Sequence, residues 1–355
     1  MTPSLRPDLA SVAPYRAPQV EAPVRLNTNE CPYPLPEGFA EELAAAIARI
    51  PFNRYPDREA TALRKGLAEY ADHPFAGVWA ANGSNEVIQH LCLAYGGPGR
   101  AAMVFEPTYG LHSLIPRMIG MEVLSERLGA DFRLGPEAVD AVRDRRPHVV
   151  FACSPNNPTG SHQPLSVIEA MCEAAGEGLV IVDEAYGEFG GVTAGDLVDG
   201  RRNLAVVRTF SKAFSLAAAR LGYCLADPNV VEDLARVRLP YHLSALTQTA
   251  GEVALRYANE AMGILELVGA ERDRLAESLG AMEAVEAVPS DANFVLFRTA
   301  AKAGALWRAL LDRGVLVRDV SAAPGLERCL RVTAGTPQEV DAFLEAFPPA
   351  LEETR

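Results

Sequence analysis

Short apolar runs alternate with amphipathic stretches through the first two thirds of the chain. Seven runs have the length and composition of buried strands, at residues 78–81, 101–105, 121–124, 148–153, 179–182, 204–208 and 221–226. Most of them are separated by stretches with helical periodicity, such as residues 87–95. Strands that alternate with helices predict an α/β fold, in which a mostly parallel seven-stranded sheet is flanked by helices.

The pattern differs at both ends of the chain. Residues 1–38 are rich in proline, which predicts an extended N-terminal arm, and two helices are expected at 39–50 and 59–70. After residue 228 a helical tract covers about 230–279, with an interruption near 239–242. Short strands follow at 294–297, 315–317 and 329–332, with helices at 301–313 and 337–347. We therefore predict an arm (1–38), a large domain (39–235) and a small α+β domain (236–355).

Composition narrows the function without defining it. The chain has 355 residues, 49% of them apolar and 22% charged, which is typical of a folded globular protein. The net charge of −13 provides no basic surface for nucleic acid or an anionic membrane. The six cysteines have no CxxC spacing, the six histidines have no metal-ligand spacing, and the N-terminal residues lack an apolar signal region. We expect reduced thiols, no metal and a cytoplasmic location.

Three polar motifs each follow a predicted strand. They are Ser154–Gly160 (SPNNPTG), Asp183–Tyr186 (DEAY) and Arg208–Phe214 (RTFSKAF). Ligands of parallel sheets bind beyond the carboxyl ends of the strands, so the three motifs are expected to share one site. A lysine just past a buried strand, such as Lys212, is expected to have a lowered pKa and to act as nucleophile and base. A surface lysine on a loop is the alternative for this residue.

Other candidate residues allow two interpretations each. Asp183 ends a buried strand, where it either caps the following turn or holds the nitrogen of a lysine-bound heterocycle protonated. Ser84 and Asn85 begin a predicted helix, where they either form an ordinary N-cap or bind a phosphate group. Arg331 lies in an apolar strand, as an edge residue or as a clamp for a carboxylate.

Taken together, the motifs resemble a known family. SPNNPTG (154–160), VDEAY (182–186), RTFSKAFSLAAARLGY (208–223) and RLNTNECPYPLP (25–36) resemble the class I/II pyridoxal-phosphate aminotransferases of fold type I, the aspartate-aminotransferase-like fold. The resemblance runs from about residue 10 to the C-terminus and is greatest to members that act on histidinol phosphate. It implies a homodimer that moves an amino group from L-histidinol phosphate to 2-oxoglutarate through a pyridoxal-phosphate Schiff base, in histidine biosynthesis.

The resemblance also implies roles for individual residues. Lys212 would bind the cofactor covalently, and Asp183 and Tyr186 would complete the catalytic set. The implied cofactor-binding residues are Ser84, Asn85, Tyr109, Asn157, Asp183, Tyr186, Thr209, Ser211, Lys212, Arg220 and, from the second subunit, Tyr55. The implied substrate-binding residues are Arg331, for a carboxylate, and Arg318, Tyr15 and Tyr55, for the substrate phosphate.

Other activities fit the same motifs. One is a paralogous aminotransferase for aromatic amino acids or another biosynthetic amine, and a second is a pyridoxal-phosphate decarboxylase. The sequence departs from the family pattern at Ala217-Ala218-Ala219, where a glycine is common near the arginine, and at Cys31, where asparagine is frequent.

Overall fold

The computed structural model describes residues 3–10, 12 and 20–354. Its strands are β1 Val24–Arg25, β2 Val78–Ala81, β3 Ala101–Glu106, β4 Glu122–Arg127, β5 Val149–Cys153, β6 Leu179–Asp183, β7 Leu204–Thr209, β8 Gly222–Ala226, β9 Val285–Ala287, β10 Phe294–Thr299, β11 Val315–Leu316, β12 Arg318–Asp319 and β13 Cys329–Thr333. Its α-helices are α1 Phe39–Ile47, α2 Thr61–Tyr70, α3 Ser84–Tyr95, α4 Leu111–Met118, α5 Pro136–Arg145, α6 Leu165–Ala175, α7 Gly187–Gly190, α8 Pro228–Val237, α9 Ala245–Arg256, α10 Ala258–Gly280, α11 Ala303–Asp312 and α12 Pro337–Glu353.

The main sheet has seven strands in the order β2-β8-β7-β6-β5-β3-β4. Every neighbouring pair is parallel except the two that involve β8. The predicted mostly parallel sheet of seven strands is confirmed, and each predicted apolar run lies on one of its strands.

Both faces of this sheet are covered, which explains why its strands are apolar throughout. Along β6, Val180 and Val182 face one core, and Leu179 and Ile181 face another. Helices α2, α5 and α6 contribute to the first core, and α3 and α8 contribute to the second. The strands are therefore buried on both faces, and a site can form beyond their ends.

A second sheet forms the small domain. Its order is β12-β13-β10-β9, and all of its pairs are antiparallel. A separate core contains residues of this sheet together with residues of α10, α11 and α12. The arm joins this core, since β1 pairs in parallel with β11 and Leu26 is buried there. The predicted small α+β domain is therefore present.

The predicted boundary between residues 235 and 236 stays a prediction, and the packing supports a later one. Val253 and Ala254 of α9 lie in the core of the large sheet. Helix α10 contributes Leu265 to that core and Leu275 to the core of the small domain. We propose that the division falls within α10. Within the described part of the chain, no helix is long and apolar enough to span a bilayer.

Candidate active site

A cavity of about 410 Å³ opens where strands of the large sheet end. Cys153, Asp183 and Thr209, the last residues of β5, β6 and β7, all line it. So do most of the residues implied for the site, namely Ser84, Asn85, Tyr109, Asn157, Asp183, Tyr186, Thr209, Ser211, Lys212, Arg220, Arg318 and Arg331. The three motifs thus share one site, as expected for the carboxyl edge of a parallel sheet.

Two predicted residues are not in this cavity. Tyr55 is 79% exposed and stacks on Tyr241, with 4.4 Å between ring centroids, and it does not line the cavity of its own chain. Tyr15 lies outside the described residues.

Lys212 lies on the loop after β7 and points across the cavity toward the arm. Its Nζ donates to the carbonyl oxygens of Thr28, at 3.0 Å, and Asn29, at 2.8 Å. Burial and the positive charge of Arg331 together lower the pKa of Lys212 to about 7, and Glu30 acts in the opposite direction. A substantial share of this amine is therefore neutral near pH 7, as a nucleophile and base requires.

Asp183 has a buried partner that the sequence did not indicate. The residue is 2% exposed, and its Oδ2 lies 2.9 Å from Nε2 of His112. Its Oδ1 accepts a hydrogen bond from the backbone N–H of Ala185 at 3.1 Å, so the residue also caps the turn after β6. His112 is fully buried and stacks on Phe151 with 4.9 Å between centroids. The carboxylate is thereby held at the base of the cavity.

His112 escaped the sequence analysis because it has no metal or triad spacing. It lies three residues after Tyr109, which is the only residue of that loop to which the family resemblance assigns a role. Nitrogen, sulfur and oxygen atoms of His112, Cys153 and Asp183 lie within 4.8 Å of one another, a grouping that could hold a metal ion. The hydrogen bond between His112 and Asp183 already accounts for two of these groups.

Anion-binding groups collect around the N-terminus of α3 in the cavity wall. Helix α3 begins at Ser84, so its first backbone N–H groups are free to bind an anion. Arg220 donates from Nη1 to the Ser211 hydroxyl at 3.2 Å, and Thr209 donates to the same hydroxyl at 3.1 Å. The N-terminus of α3, the two hydroxyl groups and the guanidinium group of Arg220 together can bind a phosphate dianion.

Glycines allow this part of the cavity to form. A Cβ on Gly83 would lie 2.5 Å from Nη2 of Arg220, and one on Gly222 would lie 2.2 Å from the backbone nitrogen of Ser84. The alanines at 217–219 form a short 3-10 turn, and Arg220 still reaches the cavity. That departure from the family pattern therefore leaves the arginine in place. Cys31 packs against the small-domain core and does not line the cavity.

Arg331 and Arg318 lie side by side on the small sheet. They are paired in register between β13 and β12. Strand β13 is an inner strand and Arg331 is buried, so the edge-residue interpretation does not apply. Arg331 donates to Asn157 Oδ1 at 2.6 Å and to the carbonyl oxygen of Asn27 at 2.8 Å. The small domain thus contributes two cations to the wall of the cavity.

Fold and site together define a class of protein. A lysine of lowered pKa, a buried acid at the sheet edge and an anion seat at a helix N-terminus match the ring and phosphate of the predicted cofactor, pyridoxal phosphate. The chain belongs to the aminotransferase class I and II family, whose model matches residues 21–347. This membership confirms the predicted family, cofactor and type of enzyme.

Individual relatives agree over almost the whole chain. The histidinol-phosphate aminotransferase of Frankia casuarinae is 51% identical, over 98% of this chain and 90% of its own length. That of Thermobifida fusca is 49% identical, over 97% of this chain and 94% of its own. A crystal structure of histidinol-phosphate aminotransferase from Sinorhizobium meliloti in complex with pyridoxal-5'-phosphate has a TM-score of 0.90 at 22% identity, covering 100% of this chain and 99% of that one, and establishes the fold.

Proposed function

We propose that this enzyme transfers the amino group of L-histidinol phosphate to 2-oxoglutarate, in histidine biosynthesis. The observation that carries the proposal is the pair of neighbouring arginines on the small sheet, Arg331 and Arg318, on the cavity wall. Arg220, Ser84 and Ser211 are assigned to the cofactor phosphate, so these two arginines are left for anionic groups of substrates. The two curated relatives at 51% and 49% identity, both histidinol-phosphate aminotransferases, support the same substrate.

The residues then divide the work as follows. Bound pyridoxal phosphate supplies an electron-withdrawing ring that stabilises negative charge at the substrate Cα. Asp183, held by His112, presents its carboxylate at the base of the cavity, where it would pair with the ring nitrogen. The Nζ atom of Lys212 accepts the proton from Cα. Arg331 orients the co-substrate 2-oxoglutarate by binding one of its carboxylates, and Arg318 binds the phosphate of histidinol phosphate.

A panel of amino donors with 2-oxoglutarate, read by glutamate formation, tests the substrate. We expect the highest kcat/KM with histidinol phosphate. Replacing Arg318 by alanine is expected to lower kcat/KM for histidinol phosphate by roughly 10- to 100-fold, the size of a lost charged hydrogen bond, and that for phenylalanine by less than about threefold.

Arg308→Ala is the matched control, because it removes one arginine from an exposed position on α11. Equal losses on both donors in Arg318→Ala would contradict the phosphate role. A preference for phenylalanine would indicate the aromatic paralogue. Carbon dioxide release that does not depend on a keto acid would indicate a decarboxylase.

We also propose that the enzyme is a cytoplasmic homodimer in which Tyr55 completes the partner's site. Support comes from the surface around Tyr55, where Phe52, Leu239 and Tyr241 are also exposed. An apolar surface of this kind is typical of an interface between subunits. The six cysteines are free thiols, which is the usual state in a reducing compartment.

A further inference from the structure

Asn29 is a buried residue of the arm that the assigned roles leave unused. It is 1% exposed and adopts a left-handed backbone with φ of 55°, which asparagine tolerates better than most residues. It lies between Tyr186 of the large domain and Thr333 of the small domain.

The directions of its hydrogen bonds can be deduced. The backbone N–H of Asn29 donates to the Thr333 hydroxyl at 3.1 Å, so that hydroxyl oxygen is an acceptor there. The hydroxyl hydrogen is then free to be donated to Oδ1 of Asn29, at 3.0 Å. This arrangement turns the NH₂ group toward the Tyr186 hydroxyl, at 2.8 Å. Because an amide nitrogen only donates, the phenol oxygen accepts from Asn29.

The consequence concerns the hydrogen of Tyr186. Since its oxygen already accepts from Asn29, its own hydrogen remains available for an acceptor in the cavity. We propose that Asn29 is a positioning residue that fixes Tyr186 as a hydrogen-bond donor toward the ring oxygen of pyridoxal phosphate. This inference rests on the cofactor and on the role implied for Tyr186, but not on the identity of the amino donor.

The surroundings of Tyr186 make this control effective. The phenol is 4% exposed and packs edge-on against Phe294, with 5.2 Å between centroids. Burial raises the pKa of Tyr186 to about 12, whereas the positive charge of Arg331 and the hydrogen bond from Asn29 oppose that increase. Donation by Asn29 therefore makes the phenol a stronger donor than burial alone would allow.

The backbone carbonyl of Asn29 makes its own hydrogen bonds, so the role of the side chain can be tested separately. Its carbonyl oxygen accepts hydrogen bonds from Lys212 Nζ, at 2.8 Å, and from Nδ2 of Asn293, at 3.2 Å. Asn29→Asp tolerates the same left-handed backbone and therefore keeps this carbonyl in place. Effects that pass through Tyr186 can then be separated from effects on Lys212.

The experiment is a pH titration of the visible absorption band of the holoenzyme. Asn29→Ala removes the donor to Tyr186, so the cofactor ring oxygen is less well stabilised as an anion and the chromophore keeps its proton to higher pH. We expect the spectral midpoint to rise by roughly 0.5 to 1 pH unit, the size of one lost hydrogen bond. Asn29→Asp has the same shape but offers only acceptors, which draw away the Tyr186 hydrogen, and should raise the midpoint further.

Two further variants separate this effect from a structural one. Asn293→Ala removes a contact with the same arm residue without touching Tyr186, and is expected to lower Tm while the spectral midpoint stays unchanged. Tyr186→Phe combined with Asn29→Ala should show the same midpoint as Tyr186→Phe alone, because the two residues act in series.

An unchanged or lowered midpoint in Asn29→Ala, or additive shifts in the double variant, would overturn the inference. If Asn29→Ala does not fold, the isosteric Asn29→Asp carries the test by the same criterion. Because the titration uses no amino donor, an incorrect substrate assignment would leave its outcome unaffected.

Discussion

Three buried carboxylates near the site show how differently the same chemical group can be held. Asp183 is balanced by His112, and Glu184 accepts two hydrogen bonds from Arg208, at 3.0 and 3.1 Å. Glu188 has both carboxylate oxygens buried without a hydrogen-bond partner among the described residues. Burial raises the pKa of Glu188 to about 7, although Arg208 opposes this. The first two carboxylates contact basic side chains, whereas the third is better accommodated as the neutral acid.

This difference makes stability depend on pH at residue 188. The pKa of Glu188 in the folded state lies above its ordinary value of 4.5, so the stability it contributes is complete below about 4.5 and is lost as the pH rises through about 7. Glu188→Gln removes the ionisation. We expect the variant to be more stable than the parent at pH 8, by up to about 3 kcal/mol, and by only about 1 kcal/mol close to pH 5.

Urea unfolding of the holoenzyme between pH 5.5 and pH 8 measures this difference. Glu177→Gln, at an exposed position, serves as the control and should stay within about 0.5 kcal/mol of the parent. A stability difference in Glu188→Gln that does not change with pH would refute the explanation.

Single residues were predictable only where their neighbours in sequence carried the signal. Lys212 and Asp183 each follow an apolar strand, so their placement could be inferred from the pattern. The roles of His112 and Asn29 could not be inferred, because their hydrogen-bond partners, Asp183 and Tyr186, are 71 and 157 residues away in the sequence. Contacts over such separations depend on the arrangement of strands, which hydrophobic periodicity does not specify.

Among the elements, β8 and the start of α3 come into close backbone contact beside the cavity. Gly222, the first residue of β8, pairs with Ala81 and lies against the backbone of Gly83 and Ser84. A Cβ there would approach the carbonyl carbon of Gly83 to 2.3 Å, and both contacting atoms belong to main chain that cannot rotate away. The position of the α3 N-terminus therefore depends on a glycine in the neighbouring strand.

Gly222→Ala is expected to displace the start of α3. We predict a loss of stability of about 1–3 kcal/mol, as for other overpacked sites, and at least about tenfold weaker binding of pyridoxal phosphate because the backbone N–H groups move. Equilibrium dialysis of the cofactor and thermal unfolding measure the two effects.

Gly263→Ala provides the comparison for this substitution. Gly263 lies within α10, where a Cβ would meet no atom within 4 Å. That variant should be stabilised by up to about 1 kcal/mol through helix propensity, with unchanged cofactor binding. Equal cofactor affinity in both variants would show that the α3 N-terminus does not hold the phosphate.

Elements were predicted well where they are long and apolar, and poorly where they are short. All seven strands of the large sheet came from apolar runs, and the predicted helices at 39–50 and 59–70 correspond to α1 and α2. The strand predicted at 315–317 ends at Leu316 in the structure, where β11 pairs with β1, and a second strand, β12, begins at Arg318 beside β13. The division determines where Arg318 lies, and no local signal indicates it. The break between α9 and α10 at Tyr257 was also missed, because no proline or glycine marks it.

At the scale of the whole molecule, the proposed homodimer would complete each of its two sites with a residue of the other chain. The predicted homodimer places Tyr55 at the partner's cofactor, and a single chain leaves Tyr55 exposed beside Tyr241. A sequence can indicate which apolar residues are exposed, but it does not indicate which surface of another chain covers them. For this reason the dimer was predicted from resemblance alone.

Hybrid dimers test the contribution of Tyr55 directly. Lys212→Ala and Tyr55→Ala are each expected to be strongly impaired. A hybrid of the two contains one site with both residues intact, so reassociation of equal amounts should restore about a quarter of the wild-type activity. Reassociation of Lys212→Ala with Asp183→Ala is the matched control, because both residues belong to the same cavity, and it should restore none. No recovery in the Tyr55 hybrid would place Tyr55 in its own chain's site or outside any site.

The two oxygen atoms that receive the Lys212 amine, at Thr28 and Asn29, belong to the peptide backbone. The hydrogen bonds to the amine therefore depend on the backbone conformation and not on the identity of a side chain. The side chain of Thr28 is exposed. A library that randomises codon 28 should retain this contact in most of its members. Insertion or deletion of one codon between 27 and 29 would shift both oxygens and abolish the contact. The length of this segment is therefore more tightly constrained than the identity of its residue 28.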